Sequence, residues 1–188
     1  MAETLAKGPN FVFAREFIQQ RYGEPVWEAL LAALPEEHAA IWRSATLEEE
    51  HPFATFKAGV FNLADALDSP EMVETAEMYE FIAERSLSTL YKAFFRFTSP
   101  QFAIRNYPRL WRRFFNAGEV HVPMAEEGQA ELIFTLPEIF LDWLPPACLG
   151  YSQKAVQMAG GKHFTMRQLE KRAVTGDIWE VKYKLGWR

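Results

Sequence analysis

The chain has 188 residues, 49% hydrophobic and 15% aromatic, with 20 basic against 25 acidic side chains and a net charge of −5. Those values fit one globular domain spanning 1–188, and the single cysteine, Cys148, excludes a disulfide framework or a cysteine-rich zinc site. An apolar run of about 18 residues is absent, as is a basic-then-apolar leader, so a cytoplasmic protein without a membrane span is expected.

Taken in chain order, Phe11 to Tyr22 reads as a helix halted by Gly23, and Pro25 opens a second helix, Val26 to Leu34. A third short helix follows from Glu36 to Trp42. The run Glu48-Glu49-Glu50-His51-Pro52 reads as a polar connection before a helix from Phe53 to Leu67. Ser69-Pro70-Glu71 is a start signal, and the apolar positions Met72, Ala76, Tyr79, Ala83, Leu87, Leu90, Phe94 and Phe97 advance by three or four. One long helix to about Phe97 is predicted.

Ser99-Pro100 repeats the start signal, with a helix to Asn116 closed by Gly118 and kinked or restarted at Pro108. On it, Ala103, Tyr107, Leu110, Trp111 and Phe114 share one arc, and Arg105, Arg109, Arg112 and Arg113 the opposite one. After Gly118 the period becomes two. Val120 to Met124 and Ala130 to Leu136 flank a turn at Glu126-Glu127-Gly128-Gln129, a hairpin. Pro137 then introduces helical sequence interrupted by Pro145-Pro146, resumed from Ala147 to Ala159 and capped by Gly160-Gly161. A second hairpin closes the chain, His163 to Val174 and Trp179 to Trp187 about Thr175-Gly176-Asp177. The expected fold is α+β, with N-terminal helices packed on a four-stranded antiparallel sheet made of two hairpins separated by a helix.

Charge is unevenly placed. Residues 1–90 carry 6 basic and 16 acidic side chains, whereas 91–118 carry 6 basic and none acidic. Arg105, Arg109, Arg112 and Arg113 therefore form a candidate site for an acidic partner surface or a ligand carboxylate, including the acidic blocks of this chain or of a second copy. Nucleic acid fits poorly with a negative chain that has no recognised nucleic-acid module.

No Gly-x-Ser-x-Gly elbow, Gly-rich phosphate loop or His-Glu-x-x-His is present, and no spacing positions a nucleophile or an acid/base pair, so no enzyme is expected. The isolated histidines read as surface or hydrogen-bonded residues. Cys148 reads as a small buried apolar group, or as a thiol activated at a helix start. The aromatics around 91–115 read as core, or as the lining of an apolar pocket.

Four stretches carry a resemblance: Arg21-Tyr22-Gly23-Glu24-Pro25-Val26-Trp27, Leu87-Ser88-Thr89-Leu90-Tyr91-Lys92-Ala93-Phe94-Phe95-Arg96, Cys148-Leu149-Gly150-Tyr151 with Gly160-Gly161, and Arg172-Ala173-Val174-Thr175-Gly176-Asp177. Over nearly the whole chain they resemble a myxobacterial paralogous family of uncharacterised proteins. That family is similar to a superfamily of 4-vinyl-reductase-type small-molecule-binding domains, transport protein particle (TRAPP) subunits of Golgi traffic, and haem nitric-oxide/oxygen-binding sensors of NO signalling.

The resemblance implies a non-enzymatic sensory or signalling module that binds a small hydrophobic molecule in a pocket at Tyr91, Phe94, Phe97, Trp111, Phe114, Phe115, Cys148 and Tyr151. It also implies a homodimer or a signalling protein partner. No cofactor is expected on the main reading, and zinc is disfavoured because Arg172, Trp179 and Glu180 stand around the Gly-Asp turn where zinc-holding relatives carry cysteines. Two alternatives remain open: a haem-based NO/O2 sensor, for which His51 is the candidate iron ligand, and a TRAPP-like assembly scaffold without ligand. The haem branch uses a proximal histidine on a mid-chain helix and a later Tyr-x-Ser-x-Arg element; Tyr151-Ser152-Gln153-Lys154 lacks that spacing and the arginine.

Overall fold

The protein is described by a computed structural model covering residues 3–69, 71–91 and 99–188, with only the backbone described for 88–91. The order is β1 (Leu5–Lys7), α1 (Gly8–Tyr22), α2 (Glu24–Ala32), α3 (Glu36–Ser44), β2 (Glu50–Pro52), α4 (Phe53–Ala66), α5 (Val73–Tyr91), α6 (Pro100–Arg105), α7 (Tyr107–Phe114), β3 (Glu119–Glu126), β4 (Gln129–Pro137), a 3₁₀ turn (Glu138–Phe140), α8 (Leu144–Met158), β5 (Thr165–Thr175) and β6 (Ile178–Gly186). Strands β3-β4-β6-β5 form a four-stranded antiparallel sheet in that order, so the α+β expectation of two hairpins separated by a helix holds.

The sheet is two-faced for the reason its sequence alternates. Ala130, Leu132, Phe134 and Leu136 of β4 and Val181, Tyr183 and Leu185 of β6 are buried, and the register sets Leu132 opposite Tyr183 and Phe134 opposite Val181. The other face is polar, with Lys182 Nζ 2.8 Å from Glu131 Oε2. Strand β5 pairs only with β6, and its residues are almost all exposed.

Three expectations are corrected. The segment around Glu48–Pro52 is not only a connection: Glu50–Pro52 pairs antiparallel with Leu5–Lys7 as a small second sheet. Pro145 and Pro146 do not interrupt a helix but lie in the first turn of α8, where a missing N–H costs nothing. The predicted helix of 99–116 restarts at Pro108 as expected, but it ends at Phe114 with Phe115 extended, so Gly118, at φ 79°, serves the entry into β3 rather than a helix cap. Helix α5 begins at Val73, after Met72 turns the backbone at φ 52°; residues 92–97 of the long predicted helix lie outside the described residues.

The Gly160-Gly161 stop behaves as expected. Gly160 takes φ 92°, and the Gly161 N–H donates to Val156 O at 2.9 Å and that of Gly160 to Gln157 O at 3.0 Å. Where α5 crosses α8 the backbones meet at Gly150, at which any Cβ would overlap the carbonyl of Ala76.

Candidate functional site

The site is built on α6 and α7, and its shape follows from one proline. Pro108 has no N–H to give Ile104 O, so the helix breaks at Asn106, whose carbonyl accepts from the Arg109 and Leu110 N–H groups at 3.0 and 3.1 Å to start α7. Ser99 caps α6 by accepting from the Phe102 N–H. Restarting the helix preserves the two arcs: Tyr107, Leu110, Trp111 and Phe114 are buried, and Arg109, Arg112 and Arg113 are exposed. Arg105 is tied down differently, donating to Ala125 O of β3 at 2.6 Å.

Across from this face stands α8, with Leu144, Ala147, Cys148, Tyr151 and Ser152 buried at helical spacing. Between the two helices lies a small cavity of about 20 Å³, lined by Tyr79, Tyr107, Leu110, Trp111, Phe114, Phe115, Trp143, Leu144, Ala147, Cys148 and Tyr151. The interior is filled by rings. Trp111 packs against Phe115 at 4.5 Å between centroids and edge-on to Phe134 at 5.4 Å, and Tyr107 meets Tyr151 at 5.8 Å.

A small polar cluster sits in this apolar wall. Tyr107 donates to Cys148 Sγ at 3.7 Å and accepts from Ser152 Oγ at 3.4 Å. Burial pushes the Cys148 thiol from 9.0 up to about 11, against the opposing effect of its contacts with Ser152 and Tyr107, so it is a neutral thiol at pH 7 and not an activated one. Burial also raises Tyr79 and Tyr107 well above the usual phenol range. The Trp143 Nε1 and Tyr183 Oη atoms are buried without a hydrogen-bond partner.

Outside the aromatic wall is a groove of about 480 Å³. Its apolar lining includes Phe13, Leu47, Leu110, Phe114 and Tyr151, and its charged lining is Lys7, Glu48, Glu49, Glu50, Arg112 and Arg113. Among the described residues Leu110, Phe114 and Tyr151 line both spaces and so stand between the groove and the cavity.

The structure thus brings Trp111, Phe114, Phe115, Cys148 and Tyr151 to one cavity. Phe94, Phe97 and the side chain of Tyr91 lie outside the described residues. Arg112 and Arg113 share the groove; Arg105 and Arg109 do not line it. His51 stands on β2, edge-on to the Phe11 ring and 3.4 Å from Glu49 Oε2, and lines neither space. Tyr79, Tyr107, Leu110, Trp143, Leu144 and Ala147 were not among the expected pocket residues. For Leu144 and Ala147 the signal was the Pro-Pro pair read as a first helical turn, which places 144, 147, 148 and 151 on one face.

Among the described residues no cluster of His, Cys, Asp or Glu is arranged to hold a metal ion, and no helix is long and apolar enough to cross a membrane.

No family model and no curated protein matches the chain. Solved structures do match over its whole length. An Fe(II) unliganded H-NOX protein mutant from K. algicida superposes with a TM-score of 0.71 at 11% identity, covering 97% of this chain and 96% of that one. A T. tengcongensis H-NOX mutant gives 0.69 at 10% identity, covering 97% of each chain. An oxygen-binding H-NOX domain related to soluble guanylate cyclases gives 0.66 at 9% identity, covering 97% of this chain and 95% of the other. The chain has the H-NOX fold.

Proposed function

We propose that this protein is a non-enzymatic sensor module on the H-NOX fold, taking a small, largely apolar molecule in the groove beside α7. The observation that carries the reading is the shared wall of Leu110, Phe114 and Tyr151, which sets a 480 Å³ concavity directly against a residual 20 Å³ void in the ring-filled core. A groove of that size lies in the ~300–1,000 Å³ range of ligand pockets, and rotation of those side chains joins the two spaces. The full-length likeness to sensor domains supports this reading over an enzyme, and supports the haem-sensor branch of the superfamily over the 4-vinyl-reductase-type and TRAPP branches.

The residues nevertheless do not fit haem. Haem iron is held by His, a thiolate, a phenolate or Met. Among the described residues no histidine lines the cavity or the groove, and the Cys148 thiol is engaged with Tyr107 and Ser152. The cavity between α7 and α8 has a volume of only about 20 Å³, with Trp111, Phe115 and Trp143 among its lining, far too little for a macrocycle. Among the described residues no lysine or arginine lines the cavity to meet propionates.

The test is titration of the purified full chain with hemin and, separately, with an apolar fluorescent probe. The expected result is no stoichiometric Soret band, together with saturable probe binding that Phe114 substitution alters. A one-to-one haem complex with a discrete Soret band would establish the second reading, the haem-based NO/O2 sensor, which the fold likeness favours. The homodimer expected from the resemblance is tested in the same preparation by light scattering, where a mass near twice 21.7 kDa is the expected outcome.

A further inference from the structure

The groove is charged in a way that its apolar lining does not require. Of its three carboxylates, Glu50 pairs with Lys7 at 3.4 Å, and Glu49 accepts from the Thr46 N–H at 2.8 Å while contacting His51. Those hydrogen bonds lower the Glu49 carboxyl below its usual range, the bond from the Thr46 backbone first among them, so it stays anionic with its acceptors occupied. Arg112 and Arg113 line the same groove and, among the described residues, form no ion pair. The lining carries three cations and three carboxylates, and two of the cations, Arg112 and Arg113, stand without a carboxylate partner beside an apolar floor.

Resting on the ligand-binding reading above, we propose that the groove takes an amphipathic carboxylate, its apolar part against Leu47, Leu110 and Phe114 and its carboxylate at Arg112 and Arg113. A guanidinium fork matches a carboxylate with paired N–H donors, and the adjacent apolar surface shields that contact from water. Arg112 and Arg113 are held in place by neighbours on their own helix: Leu110, Trp111 and Phe114 are buried and fix the orientation of α7.

The experiment is isothermal titration of the full chain with decanoate and with decanol, two probes equal in apolar length and different in charge. Wild type is expected to bind decanoate about tenfold more tightly than decanol, the low end for a hydrogen-bonded charge at a partly open rim. R112Q/R113Q is expected to lose that preference while binding decanol as before. E48Q is expected to tighten decanoate binding severalfold. Both arginines are exposed, so urea midpoints of the variants should match wild type. Equal binding of the two probes by wild type, or a preference that survives R112Q/R113Q, overturns the carboxylate assignment while leaving the ligand-binding reading intact. Failure of both probes to bind overturns both.

Discussion

Phe114→Ala tests the shared wall directly. The Phe114 ring is buried at 5% exposure, 5.7 Å from the Tyr151 ring and 6.4 Å from that of Phe115, with the core void on one side and the groove on the other. Truncating a buried phenylalanine costs about 3–5 kcal/mol, of which part is the cavity left behind. Here the new space opens to the groove and fills with solvent, so the cost falls at the low end, about 3 kcal/mol. With a urea slope of about 2 kcal/mol/M, the unfolding midpoint should drop by about 1.5 M. The same substitution joins the two voids, so an apolar probe should bind more tightly than to wild type. Phe134→Ala is the control: its ring is fully buried beneath α7 and touches no groove, and it should cost about 4–5 kcal/mol without gain in probe affinity. A loss under 1 kcal/mol for Phe114→Ala with unchanged probe binding would refute the reasoning, because the ring would then separate nothing.

Two further outcomes are expected. The Cys148 thiol sits at about 11 in the folded chain against 9.0 when solvated, so its neutral form favours folding below pH 9, and that stability is lost as pH rises towards 11. Chemical denaturation between pH 8 and pH 10 should therefore show wild type losing about 1.4 kcal/mol more than Cys148→Ala, and equal losses would count against a buried neutral thiol. Gly150→Ala forces α8 away from Ala76 of α5, a backbone collision with no flexible side chain to yield, at about 3 kcal/mol; calorimetry should show the melting temperature lowered by about 6–12 °C.

What the sequence made legible followed from periodicity. The α7 arcs were readable because aromatic and arginine positions alternate with the helical repeat, and the hairpins because period-two runs flank Gly128 and Gly176. Strands β1 and β2 were not. Three residues carry no period, and Ala6 finds His51 only when the intervening helices have folded. The same limit applies at the site. Trp111, Phe114, Cys148 and Tyr151 could be named from local pattern, but Tyr79 and Trp143 reach the cavity from other segments. Whether so many rings enclose a large space or fill it depends on how their volumes interlock, and no linear pattern encodes that. A filled interior on a haem-domain fold is what emerged.

Asn10 gives the fold a mechanical property. Fully buried in α1, it donates to Phe114 O at 2.8 Å at the end of α7 and to Lys7 O at 3.2 Å, and accepts from the Tyr79 hydroxyl of α5 at 3.0 Å. Every polar atom of its amide is engaged, so a shift of the C-terminal end of α7 strands a buried N–H donor on α1. The groove wall at Phe114 is in this way anchored to the N-terminal helix, so the backbone at the end of α7 and the packing of α1 are mechanically coupled.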